Sequence, residues 1–272
     1  MVRAVSRRVF AVRYAHREAR RAEHFYGPDP PDPHDAPMPM DYFLWAIAGD
    51  DRPPVVVDAG FRPETARRRG RQMVADPIAV LAELGVDAAE VRDVVLTHLH
   101  YDHSGYLAAF PRARFWVQDA ELAFWTGRHA ARGEIGRIVE PPDVVELVRL
   151  NFERRVRFVD GDEEMAPGIS LHRVGGHAPG LQVVRVATTD GPMVLASDAA
   201  HFYANLELDR PYAIVHSLPG MYDAFDRVRA LAEGDDARIV PGHDPLVLER
   251  YAAPSSALEG RAVELTAGRA FD

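Results

Sequence analysis

A short apolar run, Val94-Val95-Leu96, leads without a break into Thr97-His98-Leu99-His100-Tyr101-Asp102-His103-Ser104-Gly105. Nothing else in the sequence constrains the chain so tightly. Three imidazoles and a carboxylate directly after a strand of the buried kind form a costly arrangement for a core, because buried polar groups need partners. Alternate residues of an extended segment point the same way, so His98 and His100 can converge on one ion. Asp102 and His103 follow in the turn, where they can face a second ion. Neutral imidazole and carboxylate suit Zn, Fe, Mn or Co and need no thiolate.

Composition narrows the chemistry further. The 272 residues include no cysteine and no lysine, and all 32 basic residues are arginine. Disulfides, thiolate nucleophiles and sulfur-ligated zinc or iron are excluded, as are Schiff bases and a lysine-containing phosphate loop. Acidic residues outnumber basic ones 41 to 32, a net charge of −9, which argues against a dedicated nucleic-acid partner. No apolar run approaches the roughly 18 residues that span a bilayer, so no membrane partner is expected and the expected location is the cytoplasm.

No repeat or flexible linker interrupts the chain, and residues 1–272 read as a single domain. Strands are expected at Val9 to Val12, Tyr42 to Ala48, Pro54 to Asp58 and Arg114 to Gln118. A helix begins at Asp76-Pro77, with Asp as cap, and stops at Gly85. Residues 28–39 form a proline-rich, stiff and extended loop. Residues from about 119 to 150 read as a mostly helical insertion. Strands return at Val156 to Val159, Ile169 to Val174, Gln182 to Val186, Met193 to Ala196 and Ala237 to Val240, with a helix around Tyr222 to Glu233 before the last. The run Arg67-Arg68-Arg69, with Arg71, reads as a solvated helix face.

Three later segments complete the pattern. Val174-Gly175-Gly176-His177, Leu195-Ala196-Ser197-Asp198 and Val240-Pro241-Gly242-His243 each end an expected strand in a histidine or aspartate. Singly, each would more often be a capping Asp or a half-buried His. Together with the first cluster they make a two-metal site the better reading.

These residues resemble the metallo-β-lactamase superfamily. Its HxHxDH motif is matched by His98, His100, Asp102 and His103, its later ligands by His177, Asp198 and His243, and its early aspartate by Asp58. The resemblance spans roughly residues 40 to 245 and implies an α/β fold, the αββα four-layer sandwich, with the metals at one edge between the sheets. It also implies roles. His98, His100 and His177 would hold one divalent ion, Asp102, His103 and His243 the other, with Asp198 bridging and Asp58 orienting a ligand histidine. Zinc is the foremost metal expected. A bridging hydroxide would then be the nucleophile.

Within the superfamily, the lack of cysteine sets the chain apart from β-lactamases that use Cys at the second metal, and His100 from flavodiiron proteins, which have Glu there. It is most similar to the N-acyl-homoserine lactone lactonase and pyridoxolactonase-like branch, through Asp198-Ala199-Ala200 and Pro241-Gly242-His243-Asp244. The function implied is a dinuclear-metal-dependent hydrolase that opens a lactone or a related ester or amide. The alternative is a mononuclear iron dioxygenase of the persulfide type.

Two positions depart from the branch. Leu181 replaces the second histidine of a Gly-His-x-x-Gly-His turn. His201 stands where lactonases carry a tyrosine, with Tyr203 nearby. Asp102, His201 and Tyr203 are therefore the candidate catalytic residues. Phe25, Tyr26, Met38, Trp116, Phe124, Trp125 and Phe202 suggest an apolar or aromatic pocket for a small molecule, and His216 is a further candidate for substrate contact. His16, His24, His34, His129 and His172 are expected in loops or on the surface. A homodimer is the expected form if the chain associates.

Overall fold

The computed structural model describes residues 7–27, 36–49 and 52–267. Most of the proline-rich loop, residues 28–35 with His34, lies outside the described residues.

The first half of the chain forms β1 (Arg8–Arg17), β2 (Met40–Gly49), β3 (Arg52–Val57), α1 (Pro63–Arg69), β4 (Gln72–Met73), α2 (Pro77–Glu83), β5 (Asp93–Val95) and β6 (Arg114–Gln118). Helices α3 (Asp119–Trp125), α4 (Gly133–Gly136) and α5 (Pro141–Phe152) occupy the stretch read as helical, before β7 (Val156–Val159). The second half holds β8 (Asp162–Ala166), β9 (Ile169–Arg173), β10 (Gln182–Thr188), β11 (Gly191–Ser197), α6 (Tyr203–Glu207), α7 (Leu218–Leu231), β12 (Ile239–Pro241), α8 (Leu246–Arg250) and β13 (Ala262–Glu264). No helix among the described residues is long and apolar enough to cross a membrane.

One sheet runs β13-β1-β2-β3-β5-β6-β7, with β4 beside β1, and the other runs β12-β11-β10-β9-β8. Alternation along the strands builds four layers. Val9, Ala11, Phe43, Trp45 and Val57 pack against Leu171, Val184, Val186 and Leu195 in the seam between the sheets. Their neighbours Phe10, Val12, Leu44 and Val56 face the other way, into a layer with Val80, Leu81 and Leu147 of the helices. On the second sheet Val183, Val194 and Ala196 meet Met221, Phe225 and Val228 of α7. This is the αββα sandwich.

The cap of α2 is the one expected: Asp76 accepts from the Ile78 N–H at 3.0 Å. The acidic run Asp162–Ala166 was not legible as a strand; it is an edge strand, where charge discourages further pairing.

Candidate metal centre

Strand direction assembles the site. β3, β5 and β6 run parallel, as do β11 and β12. The residues after β3, β5, β9, β11 and β12 are Asp58, the Thr97–Gly105 loop, the Gly175–His177 turn, Asp198 and His243. All of these segments reach one edge of the sandwich. Gly176 takes φ +79°, and a Cβ there would lie 2.8 Å from the Gly220 backbone, so only glycine lets the turn carry His177 inward.

Asp198 is the hub. Its Oδ2 lies 3.1 Å from His177 Nε2, 3.0 Å from His201 Nε2 and 3.6 Å from His98 Nε2. Its Oδ1 lies 3.0 Å from His243 Nε2 and 3.4 Å from His103 Nε2. His100 Nδ1 is 2.9 Å from His177 Nε2, and Asp102 reaches to 3.7 Å of His103 and 3.9 Å of His243. All seven residues read from the sequence as ligands are thus brought together, buried. They fall into two donor groups, His98-His100-His177-Asp198 and Asp102-His103-His243, and His201 joins Asp198 and His243 in a third.

The donors fit divalent ions. His98 Nε2 and His103 Nε2 are fully buried, with no hydrogen-bond partner among the described residues. Such orphaned nitrogens are costly unless something else fills their lone pairs. The remote nitrogens are held instead: His177 Nδ1 by the Ile214 carbonyl at 2.8 Å, His243 Nδ1 by the Asp41 carbonyl at 2.8 Å, and His103 Nδ1 by Asp58 Oδ2 at 2.7 Å. That pattern fixes tautomer and ring orientation for a metal. Asp58 also accepts from the Thr97 N–H and hydroxyl, at 2.7 and 2.9 Å. Asp58 and Ser197 hold left-handed backbone, φ 65° and 46°, at the two strand ends.

Electrostatics follow the geometry. Burial, reinforced by neighbouring imidazoles, holds His98 and His100 well below the usual imidazole range. Burial also opposes charge on His103, but Asp198, Asp58 and Asp102 overcome it and raise the group well above that range. For Asp198, burial is overridden by His201, His243, His103 and His177, and its carboxyl falls well below the usual value. The site therefore holds an ionised Asp198 ringed by imidazoles.

A further buried carboxylate, missed in the sequence, ties the loops together. Glu121 on α3 accepts from the Leu99 N–H at 2.9 Å, the Trp125 indole at 2.7 Å and the Gly180 N–H at 2.8 Å. Leu99 lies between two donors of the first group, and Gly180 follows the third. A Cβ on Gly180 would sit 2.5 Å from the Glu121 backbone nitrogen. Leu99 and Gly180 are far from Glu121 in sequence, so the sequence shows only that Glu121 falls in the stretch read as helical.

The donors open into a cavity of about 370 Å³, walled also by Met40, Tyr42, Tyr101, Tyr212 and Ile214. His201 lines it, its ring stacked 3.5 Å from Tyr212 at 7°. Tyr203 does not. Its ring packs in the seam between the sheets with Arg250 above it, and its N–H is held by Asp244 at 3.0 Å. The helix that starts at Tyr203 turns the ring into the core, so the ring beside His201 is Tyr212.

The aromatic wall is likewise different from expectation. Phe124 and Trp125 line an adjoining cavity of about 310 Å³ with His216. Trp116 is in the inter-sheet core bonded to Asp93, Phe202 is in the helix-covered core, and Phe25 and Met38 do not line either cavity. Tyr26 is exposed. His24, expected in a loop or on the surface, lies in a turn but is fully buried between Phe202 and Tyr212. Arg69 and Arg71, read as a solvated face, line the main cavity.

The sequence model of the metallo-beta-lactamase superfamily matches residues 41–243. The chain belongs to that superfamily. Among curated superfamily relatives, the N-acyl homoserine lactonase AttM of Azorhizobium caulinodans is 32% identical over 173 residues, 62% of this chain and 64% of that protein. This chain spans 61–64% of the length of AttM from four rhizobial sources, under two thirds. Among solved structures, an N-acyl homoserine lactone hydrolase with the product N-hexanoyl-L-homoserine at its catalytic metal centre superposes with TM-score 0.71. It is 18% identical, over 92% of this chain and 98% of that one. AidC, a dizinc quorum-quenching lactonase in complex with a product, gives TM-score 0.70 at 14% identity, over 90% of each chain. At these identities the superpositions speak for the fold of the superfamily.

Proposed function

We propose that this protein is a metal-dependent hydrolase that opens a lactone or a closely related ester. The observation that carries the proposal is the pair of buried donor groups at a cavity, with Asp198 Oδ2 facing His98 and His177 of one and its Oδ1 facing His103 and His243 of the other. Relatives that bear the name N-acyl homoserine lactonase support the reaction class. His98, His100 and His177 would hold one ion and Asp102, His103 and His243 the other, with Asp198 between them; zinc suits these nitrogen and oxygen donors. When bound, two divalent cations lower the pKa of a water and polarise a carbonyl.

The chain's own groups do the rest. Asp102 lines the cavity and can take a proton from the attacking water. His201 keeps one ring nitrogen against Asp198 and its Nδ1 without a partner among the described residues. Burial, with His177 and His243 beside it, keeps the imidazole well below its usual range. With Nε2–H on Asp198, the other nitrogen is a free lone pair that can pick up that proton and pass it to the departing alkoxide, while Tyr212 stacks behind the ring and holds its plane. A single-iron oxygenase would leave the second donor group without a role.

The test is hydrolysis in oxygen-18 water of a panel of acyl-homoserine lactones, aromatic lactones and aryl esters. Label is expected in the product acid, with activity lost on chelation and restored by a divalent metal. No turnover of any lactone or ester by the two-metal form would refute the proposal, as would a trapped acyl-enzyme.

A further inference from the structure

Four guanidinium groups stand around the cavity, those of Arg17, Arg69, Arg71 and Arg137. Three are neutralised by carboxylates: Arg17 by Glu23, Arg69 by Glu140 at 2.8 Å, and Arg137 by Glu134. Arg71 is not. Among the described residues it forms no ion pair. Its Nε donates to the Tyr101 hydroxyl at 3.1 Å and its Nη1 to the Arg69 carbonyl at 2.7 Å. Both acceptors are neutral.

Local backbone chemistry puts it there. Gly70 ends α1 in the left-handed conformation, φ 64°, and the Arg71 N–H closes back on the Ala66 carbonyl at 2.8 Å. The chain reverses, and the side chain is carried over the rings of Tyr101 and Tyr42, 5.9 and 6.0 Å from their centroids. Asp102 acts on it only through space, and that carboxylate belongs to the second donor group. A half-buried guanidinium held between neutral groups is an incomplete anion site, because desolvated charge is costly without a counter-charge. Arginine offers the planar fork that a carboxylate fits.

We propose that the substrate carries its own carboxylate, bound by Arg71, while its scissile carbonyl lies at the donor cluster. This rests on the hydrolase reading above and deepens it. N-acyl homoserine lactones are uncharged, so the inference predicts a different preferred substrate from the one named for the relatives.

The experiment uses the metal-loaded full chain and two carbocyclic analogues that cannot be hydrolysed, a cyclopentanone carboxylate and its carboxamide. Calorimetric titration should show the carboxylate binding at least about 10-fold more tightly, the scale of one charge-assisted hydrogen bond. Arg71→Gln should erase that preference. Exposed Arg67→Gln, on α1 and outside the cavity, should keep it. If Arg71→Gln does not fold, Arg71→Lys carries the test and should reduce the preference, since an ammonium cannot hold Tyr101 and a carboxylate in one fork. Equal binding of the two analogues by the wild type overturns the inference. So does a preference that survives at position 71. The matching γ-lactone carboxylate and carboxamide are then assayed for turnover. An intact binding preference with neither these lactones nor any lactone or ester of the wider panel opened would uphold the anion site and refute the hydrolase.

Discussion

Replacing Glu121 with alanine removes one acceptor group from three buried donors: the N–H groups of Leu99 and Gly180 and the indole of Trp125. An orphaned buried donor costs about 1–3 kcal/mol, so three give a range from about 3 kcal/mol upward. Water entering the vacated space recovers part of that, and a loss of about 4 kcal/mol is expected. Glu121→Gln keeps one oxygen for Leu99 and Trp125 but turns an amide NH₂ toward the Gly180 N–H. It should cost about 2 kcal/mol, one lost bond and one donor-to-donor clash. Urea unfolding of metal-stripped protein reads both numbers without linkage to metal binding. The loops held by Glu121 carry His98, His100 and His177, whereas His103 is anchored by Asp58. Metal titration of Glu121→Gln should therefore show one ion weakened by about 10- to 100-fold, the usual effect of losing a group that orients the ligands, and the other nearly unchanged. A stability loss under about 1 kcal/mol for the alanine variant, or equal weakening of both ions, would refute this account.

Asp198→Ala should disturb both ions at once, and His243→Ala mainly one, as measured by metal content after gel filtration; two ions retained in both variants would sink the ligand assignment. His201→Ala should keep two ions and lose roughly 100-fold in turnover, the scale of a positioned acid or base, while Tyr203→Phe should do little; an ion lost together with the activity would make His201 a ligand instead. Burial lowers the His24 imidazole to about 4, so between there and its ordinary 6.5 the unfolded chain binds the extra proton. His24 thus contributes about 3 kcal/mol of stability that is complete above pH 6.5 and lost as pH falls through about 4. An NMR titration midpoint for this ring above 6 would contradict that.

The elements that build the centre were legible because their sequences obey two rules together. Val94-Val95 and Met193–Ala196 are apolar on both faces, as strands covered on both sides must be, and the donors follow their ends. Side-chain direction after a strand end was not legible. Tyr203 is two residues from His201, yet the start of α6 points it into the seam between the sheets, and Tyr212, eleven residues on, takes the place beside the imidazole. The arginine run looked solvated because composition cannot show Gly70 reversing the chain. Glu121 was invisible for a different reason. Its acceptor role exists only once segments 22 and 59 residues away are folded onto it.

Asp58 and Ser197 hold left-handed backbone at the ends of β3 and β11. Such a conformation costs an ordinary residue on the order of 1–2 kcal/mol. Ser197 keeps it while its hydroxyl contacts Thr97 of the opposite sheet at 3.0 Å. Glycine at 197 would release that strain, but the looser unfolded chain and the lost hydroxyl contact cost about as much. Selection for heat tolerance alone therefore has nothing to gain at this position, and the latch between the two halves of the centre is kept without any opposing pressure.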